Sequence, residues 1–362
     1  MKNVLATRWG IVVSGGLIGI IAALLQLLGN PANMGICVAC FIRDSTGALG
    51  MHRAAPVQYL RPEILGFVLG SFVAAYLFKE FKPRAGSAPL VRFMLGFFSM
   101  IGALIFLGCP WRALLRLAGG DWNALLGIAG LAVGIWIGTL FLKKGFNLGA
   151  ARKTYPVVGW IFPLIMAGLL VLMLFNPQVA GQEKSGVLFY SLEGPGSMHA
   201  PLIISLAAGL IIGVLAQRSR FCTMGSVRDL ILFKQTHLFT GLAAFTLAAF
   251  VMNLILKQFN PGFVGQPVAH TMHIWNFAGM VLAGLAFTLA GGCPGRQLFL
   301  SGEGDADAAV FVVGMVVGSA FAHNFGLASS AAGVTSGGIT ALAIGFAVCL
   351  LIGFTMREKV RL

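Results

Sequence analysis

The sequence predicts an all-α polytopic membrane protein built as an inverted-topology internal repeat, and three observations carry that prediction. Apolar residues make up 58% of the 362 positions and charged residues only 10%, a balance that soluble domains do not show. Several unbroken apolar runs reach the roughly 20 residues a helix needs to cross a bilayer core. They are continuous rather than alternating, so they are helices and not barrel strands. Third, the chain is written twice. Leu107-Gly108-Cys109-Pro110-Trp111-Arg112 returns 184 residues later as Gly291-Gly292-Cys293-Pro294-Gly295-Arg296, and Cys37 with Asp44 seven residues on returns 185 residues later as Cys222 with Asp229.

Ten spans follow in order, at about 10–28, 62–78, 90–108, 124–142, 157–175, 201–216, 237–256, 274–291, 308–326 and 338–356. The first is read as a retained span, because its apolar run is long and lacks a small-residue cleavage site. A net charge of +14 would suggest nucleic acid in a soluble protein. Here basic cytoplasmic loops are the more economical cause, and no nucleic-acid partner is expected. With the N-terminus inside, 18 of the 25 lysines and arginines fall on inner segments, from Lys2 and Arg8 to Lys359 and Arg361. The other seven are Arg43, Arg53, Arg61, Arg112, Arg116, Lys184 and Lys257. Both termini are therefore expected to be cytoplasmic. The division is residues 1–175 as a first repeat, 176–200 as a polar external linker and 201–362 as a second repeat. Five spans per half is an odd number, which turns the second copy upside down, as in many secondary transporters.

Each half also carries two short cysteine segments. Gly-Cys-Pro-x-Arg places proline at a first helical position with cysteine as the N-cap. These segments are too short to span, so they read as re-entrant half-helices lining a cavity. The tip of such a helix offers free N–H groups and a positive dipole end, suited to an anion. Cys37, Cys109, Cys222 and Cys293 are the candidate path residues. Arg112 and Arg296, one turn behind their cysteines, join them, and so do Arg43 and Arg228, for which ion pairs with Asp44 and Asp229 are an equal reading. Glycines at Gly130, Gly134 and Gly138, echoed by Gly314 and Gly318, are packing positions.

Other polar residues have plainer readings. Asp121 and Asp305, each twelve residues after a Gly-Cys-Pro cysteine, read as caps of the next helix. Cys40 faces Gly225 across the repeat and reads as packing; Cys349 reads as core. His270 and His273 lack further ligands and read as a solvated outer loop, so no metal is expected. His323, inside a span, reads as a proton relay or a hydrogen-bonded structural group.

The two Gly-Cys-Pro-x-Arg motifs, Cys37-x5-Arg43-Asp44 and Arg220-Phe221-Cys222-Thr223-Met224-Gly225 resemble the YeeE/YedE family of sulfur-transport membrane proteins, over nearly the whole chain. The resemblance implies an hourglass-shaped inverted repeat in which thiols along a narrow path pass an anion by S–H···S and S–H···O contacts. Matched onto this chain, those thiols are Cys37, Cys109, Cys222 and Cys293. The form of the first motif and the chain's size look closer to the YedE branch associated with selenium metabolism.

The expectation is thus a permease of the bacterial inner membrane, not an enzyme, without a cofactor. It would import a small selenium- or sulfur-containing species such as selenite or thiosulfate. Its partners would be that inorganic anion, the lipid bilayer and a cytoplasmic sulfur- or selenium-carrier protein. The alternative is a membrane thiol–disulfide oxidoreductase with Cys37 and Cys40 as its outer pair, which the missing cysteine at Gly225 disfavours. A structural subunit serving a soluble carrier is a third, weaker reading, since the inner loops are short.

Overall fold

The computed structural model describes residues 3–357; Lys2, Lys359 and Arg361, counted above among the inner charges, lie outside them. The first half runs α1 (Arg8–Leu27), α2 (Val38–Ala48), α3 (Pro62–Leu77), α4 (Pro89–Phe106), α5 (Pro110–Ala118), α6 (Asn123–Lys143) and α7 (Pro156–Phe175). The second runs α8 (Leu202–Ser219), α9 (Thr223–Phe233), α10 (His237–Ile255), α11 (His273–Ala290), α12 (Pro294–Gly302), α13 (Ala306–Asn324) and α14 (Ser336–Thr355). The protein is an all-α polytopic membrane protein: ten of these helices are long and apolar enough to cross a bilayer, and they coincide with the ten expected spans. α8 runs three residues past its expected end. Glu80 holds its last polar turn, accepting from Gln217 at 2.8 Å and pairing with Arg218 at 2.8 Å.

Two-residue strands complete the described backbone. β1 (Arg84–Ala85) pairs antiparallel with β2 (Arg152–Lys153), and β3 (Lys184–Ser185) with β4 (Leu188–Phe189) inside the linker.

The two halves pack reciprocally. α1 lies on α10 as α8 lies on α3; α6 lies on α11 as α13 lies on α4; α5 meets α10 as α12 meets α3. α4 and α11, equivalent by the repeat, pack on each other. Such exchanged contacts are what a pseudo-two-fold axis produces. The α11–α12 stretch is the most enclosed of the ten, 83% buried against 22% of α7, whose outer side is left for lipid.

Glycine makes these crossings close enough. A Cβ on Gly130 would fall 2.2 Å from the Phe277 carbonyl oxygen, and one on Gly134 2.1 Å from that of Val281. Gly314 stands equally tight against Phe93, at 2.2 Å. The small-residue faces read from spacing therefore serve contacts between the halves of one chain.

The basic residues sort by face. Arg84 pairs with Asp305 at 2.7 Å, β1 joins β2, and Phe146 bridges Arg357, so the loops assigned together by charge touch one another. On the opposite face Arg61 donates to the linker carbonyls of Met198 and Pro195. We call these the basic face and the linker face. One correction concerns Arg61 and Arg116, counted as loop charges: both are wholly buried. Asp44 pairs with Arg61 at 2.7 Å and Asp121 with Arg116 at 2.6 Å, and Phe41 and Phe106 lie beneath the two guanidiniums. Charge compensation and the aromatic faces permit that burial.

Candidate functional site

All four candidate cysteines are approached by the same backbone device. The residue two positions before each has a left-handed conformation: Gly35 (φ 30°), Leu107 (φ 62°), Arg220 (φ 58°) and Gly291 (φ 83°). At Leu107, Arg220 and Gly291 this is the turn that ends a long helix, α4, α8 and α11 respectively. Leucine and arginine occupy it at a cost that glycine avoids. After one further residue comes the cysteine, extended, as the N-cap of a short helix: Cys37 for α2, Cys109 for α5, Cys222 for α9 and Cys293 for α12. The expected prolines, Pro110 and Pro294, open α5 and α12. With nine or eleven residues each, the four helices are too short to cross the bilayer.

The thiols are arranged in two pairs. Cys37 Sγ lies 3.8 Å from Cys109 Sγ, and Cys222 Sγ lies 3.7 Å from Cys293 Sγ. Cys37 and Cys222 each also accept from the backbone N–H three residues on, Cys40 and Gly225, both at 3.3 Å. Every one of these cysteines is buried and none is in a disulfide. In each half, therefore, two helix N-termini meet at a pair of thiols. Each N-terminus carries about half a positive charge, so a meeting pair presents about one. Spacing alone told of four capped tips; the meeting of Cys37 with Cys109 and of Cys222 with Cys293 is information only the packing holds.

The arginines are committed to the protein itself. Arg43 is bound to Asp44, by Nε at 2.9 Å and Nη2 at 2.7 Å, in full burial. Arg228 pairs with Asp229 at 2.8 Å, with 31% of its side chain exposed. Arg112 is spent on carbonyls, donating to Leu107 behind Cys109 and reaching Pro267 and Val268 of the second half at 3.2 and 3.1 Å. Its Nη1 also lies 3.6 Å from Cys40 Sγ. The equivalent Arg296 meets a carboxylate, Glu303, at 3.1 Å. Glu303 also binds Arg220 at 2.9 Å, which binds Glu80 at 3.1 Å, beside Arg218. Burial alone would raise the Glu80 carboxyl, but the hydrogen bond from Gln217 and the charges of Arg220 and Arg218 hold it below its ordinary value. Arg296, behind the second thiol pair, thus sits in a ladder of ion pairs; Arg112, behind the first, is held by carbonyls and lies beside the Cys40 thiol.

The remaining candidates sort cleanly. Asp305 caps α13, accepting from Ala308 N at 3.0 Å, and Asp121 accepts from Asn123 N at 3.0 Å. His270 corrects the solvated-loop reading: it is buried, with Nε2 2.8 Å from the Ile105 carbonyl in the last turn of α4. His323 stacks on His52 at 4.6 Å between ring centres. Cys40 is buried 3.9 Å from the Leu107 carbonyl, and Cys349 is core. Among the described residues no cluster of histidine, cysteine and carboxylates could hold a metal ion.

The residue of the first motif to which the sequence assigned no role is Trp111. It is the second residue of α5, it is buried, and its ring meets Phe67, Phe221, Phe245 and Phe299. At the equivalent place in α12 stands Gly295. A Cβ there would fall 3.1 Å from Trp111 Cζ2.

Comparison with known proteins agrees with this architecture. Residues 218–356 match the sulphur transport family, a stretch that begins at the ladder arginines and takes in Cys222, Cys293 and α9 to α14. The thiosulfate transporter TsuA of Spirochaeta thermophila is 35% identical over 100 residues, which is 27% of this chain and 29% of that protein's length. The matched region carries the second Gly-Cys-Pro-x-Arg motif, whose first copy lies 184 residues earlier and outside the match. Over that region the chain is similar to the sulphur transport family.

Proposed function

We propose that the protein is a permease for a small sulfur oxyanion such as thiosulfate, with selenite as the selenium counterpart of similar charge and size, passed between the two thiol pairs. The observation that carries this reading is the meeting of two capped helix tips at each pair. An anion stripped of water in mid-membrane needs donors and positive dipole ends, and each pair supplies both. Neutral thiols are weak donors, which suits conduction, since a site that binds too well does not release. A thiolate would repel the anion, so the thiols are protonated during transport. The basic face is taken as cytoplasmic, the membrane as the bacterial inner membrane, and the direction as import. Cys37, Cys109, Cys222 and Cys293 form the path. The arginines Arg43, Arg112, Arg228 and Arg296 position the half-helices through the partners described above.

The test is uptake by proteoliposomes containing the purified protein, with labelled thiosulfate and selenite offered in parallel to wild type and Cys293→Ser. Uptake of either anion that falls at least tenfold in the variant supports the reading and names the substrate. Absence of uptake, together with cysteine-dependent passage of reducing equivalents, overturns it in favour of an oxidoreductase.

A further inference from the structure

We propose, on the permease reading above, that Trp111 holds the anion between the two thiol pairs, its indole N–H donating to the passing oxyanion. Placement is the first ground. The backbone of Trp111 follows directly on Cys109 and Pro110, while its ring reaches the other half: Cζ2 faces Gly295, two residues after Cys293, and the ring centre lies 5.7 Å from that of Phe221, which precedes Cys222. One side chain thus joins the surroundings of both pairs.

The second ground is an unanswered donor. Trp111 is 1% exposed, and its Nε1 has no hydrogen-bond partner. The rings around it, Phe67, Phe221, Phe245 and Phe299 at 5.7–6.2 Å between centres, offer no oxygen or nitrogen acceptor. A buried N–H without an acceptor is costly, and phenylalanine would fill such a cage without that cost. In the second half another donor is unanswered: the hydroxyl of Thr223, which directly follows Cys222 as the first residue of α9 and is 1% exposed, has no partner either. Two unpaired donors, each within two residues of a capping cysteine, are what an oxyanion bound between the pairs would satisfy.

The third ground is the repeat. α12 forms its proline-opened helix with glycine where α5 has tryptophan. The half-helix itself does not require the large ring. Gly295 leaves room for the indole of the other half, so the pair Trp111–Gly295 works as a unit.

The experiment compares wild type, Trp111→Phe and Cys293→Ser in proteoliposomes of phosphatidylethanolamine and phosphatidylglycerol, with thiosulfate as the probe. Trp111→Phe keeps a smaller aromatic ring and removes the N–H. The expected result is a half-saturation concentration raised about tenfold with a smaller change in maximal rate. In parallel, the ultraviolet resonance Raman difference between wild type and Trp111→Phe reads the indole N–H, and thiosulfate should shift its hydrogen-bond marker. An unchanged half-saturation and an unshifted band, with Cys293→Ser inactive, would overturn the role of Trp111 and leave the permease reading intact. Should Trp111→Phe fail to fold, the wild-type band decides alone. Wild type that neither transports nor binds thiosulfate sinks both.

Discussion

Asp44 and Asp229 occupy equivalent places in the repeat and live in different worlds. Asp44 lies wholly buried between Arg43 and Arg61, whereas Asp229 has 18% of its side chain exposed and pairs with a half-exposed Arg228. Removing one partner of a buried pair leaves uncompensated charge, so Asp44→Ala should destabilise by about 3–5 kcal/mol. Asp229→Ala should cost under about 1 kcal/mol. Thermal melting of the two variants in the same detergent checks this, and equal losses would refute it. The sequence named both aspartates and their neighbouring arginines. It did not show that Arg61, seventeen residues beyond Asp44, completes one site only; Arg61 caps α3, and the residue that caps the equivalent α10 is Thr236. The burial of His270 was likewise hidden, since its acceptor at Ile105 is 165 residues away.

At the scale of elements, legibility follows how local the cause is. Every long helix was readable, because continuous apolar runs of membrane length admit one local structure. The half-helices were readable too, through proline and cysteine at their first positions. What a glycine face packs against was not, because spacing is silent about the partner. Gly134 shows the difference. Gly134→Val would drive a methyl-bearing carbon into the Val281 carbonyl and push α6 off α11, costing about 1–3 kcal/mol or more. Gly168 in α7 has nothing within 4 Å of its would-be Cβ, so Gly168→Ala should be neutral or stabilising by up to about 1 kcal/mol. Melting temperatures of the two variants should move in opposite directions or differ clearly. The half-helix tips allow a second check. Copper phenanthroline, a mild oxidant, should link Cys37 to Cys109 and Cys222 to Cys293, with peptide mapping as the readout. A dominant Cys37–Cys40 link would contradict the pairing at 3.8 Å.

For the whole molecule, the helices of the two halves pack on one another reciprocally. Their chemistry is where they part. Glu80 is held charged by its arginines, so its contribution to the ladder is complete above the ordinary carboxylate range and fades as pH falls below its lowered value. Acid should therefore loosen the segment around Arg218, Arg220 and Cys222, while the carbonyl-bound Arg112 holds its own. Hydrogen-exchange protection factors, which correct for the slower intrinsic exchange in acid, should fall in peptides covering 217–222 as pH drops below the ordinary carboxylate range and not in those covering 107–112. Equal changes would dismiss the distinction.

That difference between Arg112 and Arg296 reaches further than stability. A carboxylate–guanidinium ladder weakens with salt and proton concentration, whereas the carbonyls that hold Arg112 do not titrate. The two halves thus answer the solution differently: the ladder on the basic face loosens with salt and acid, and the carbonyl seat of Arg112 does not.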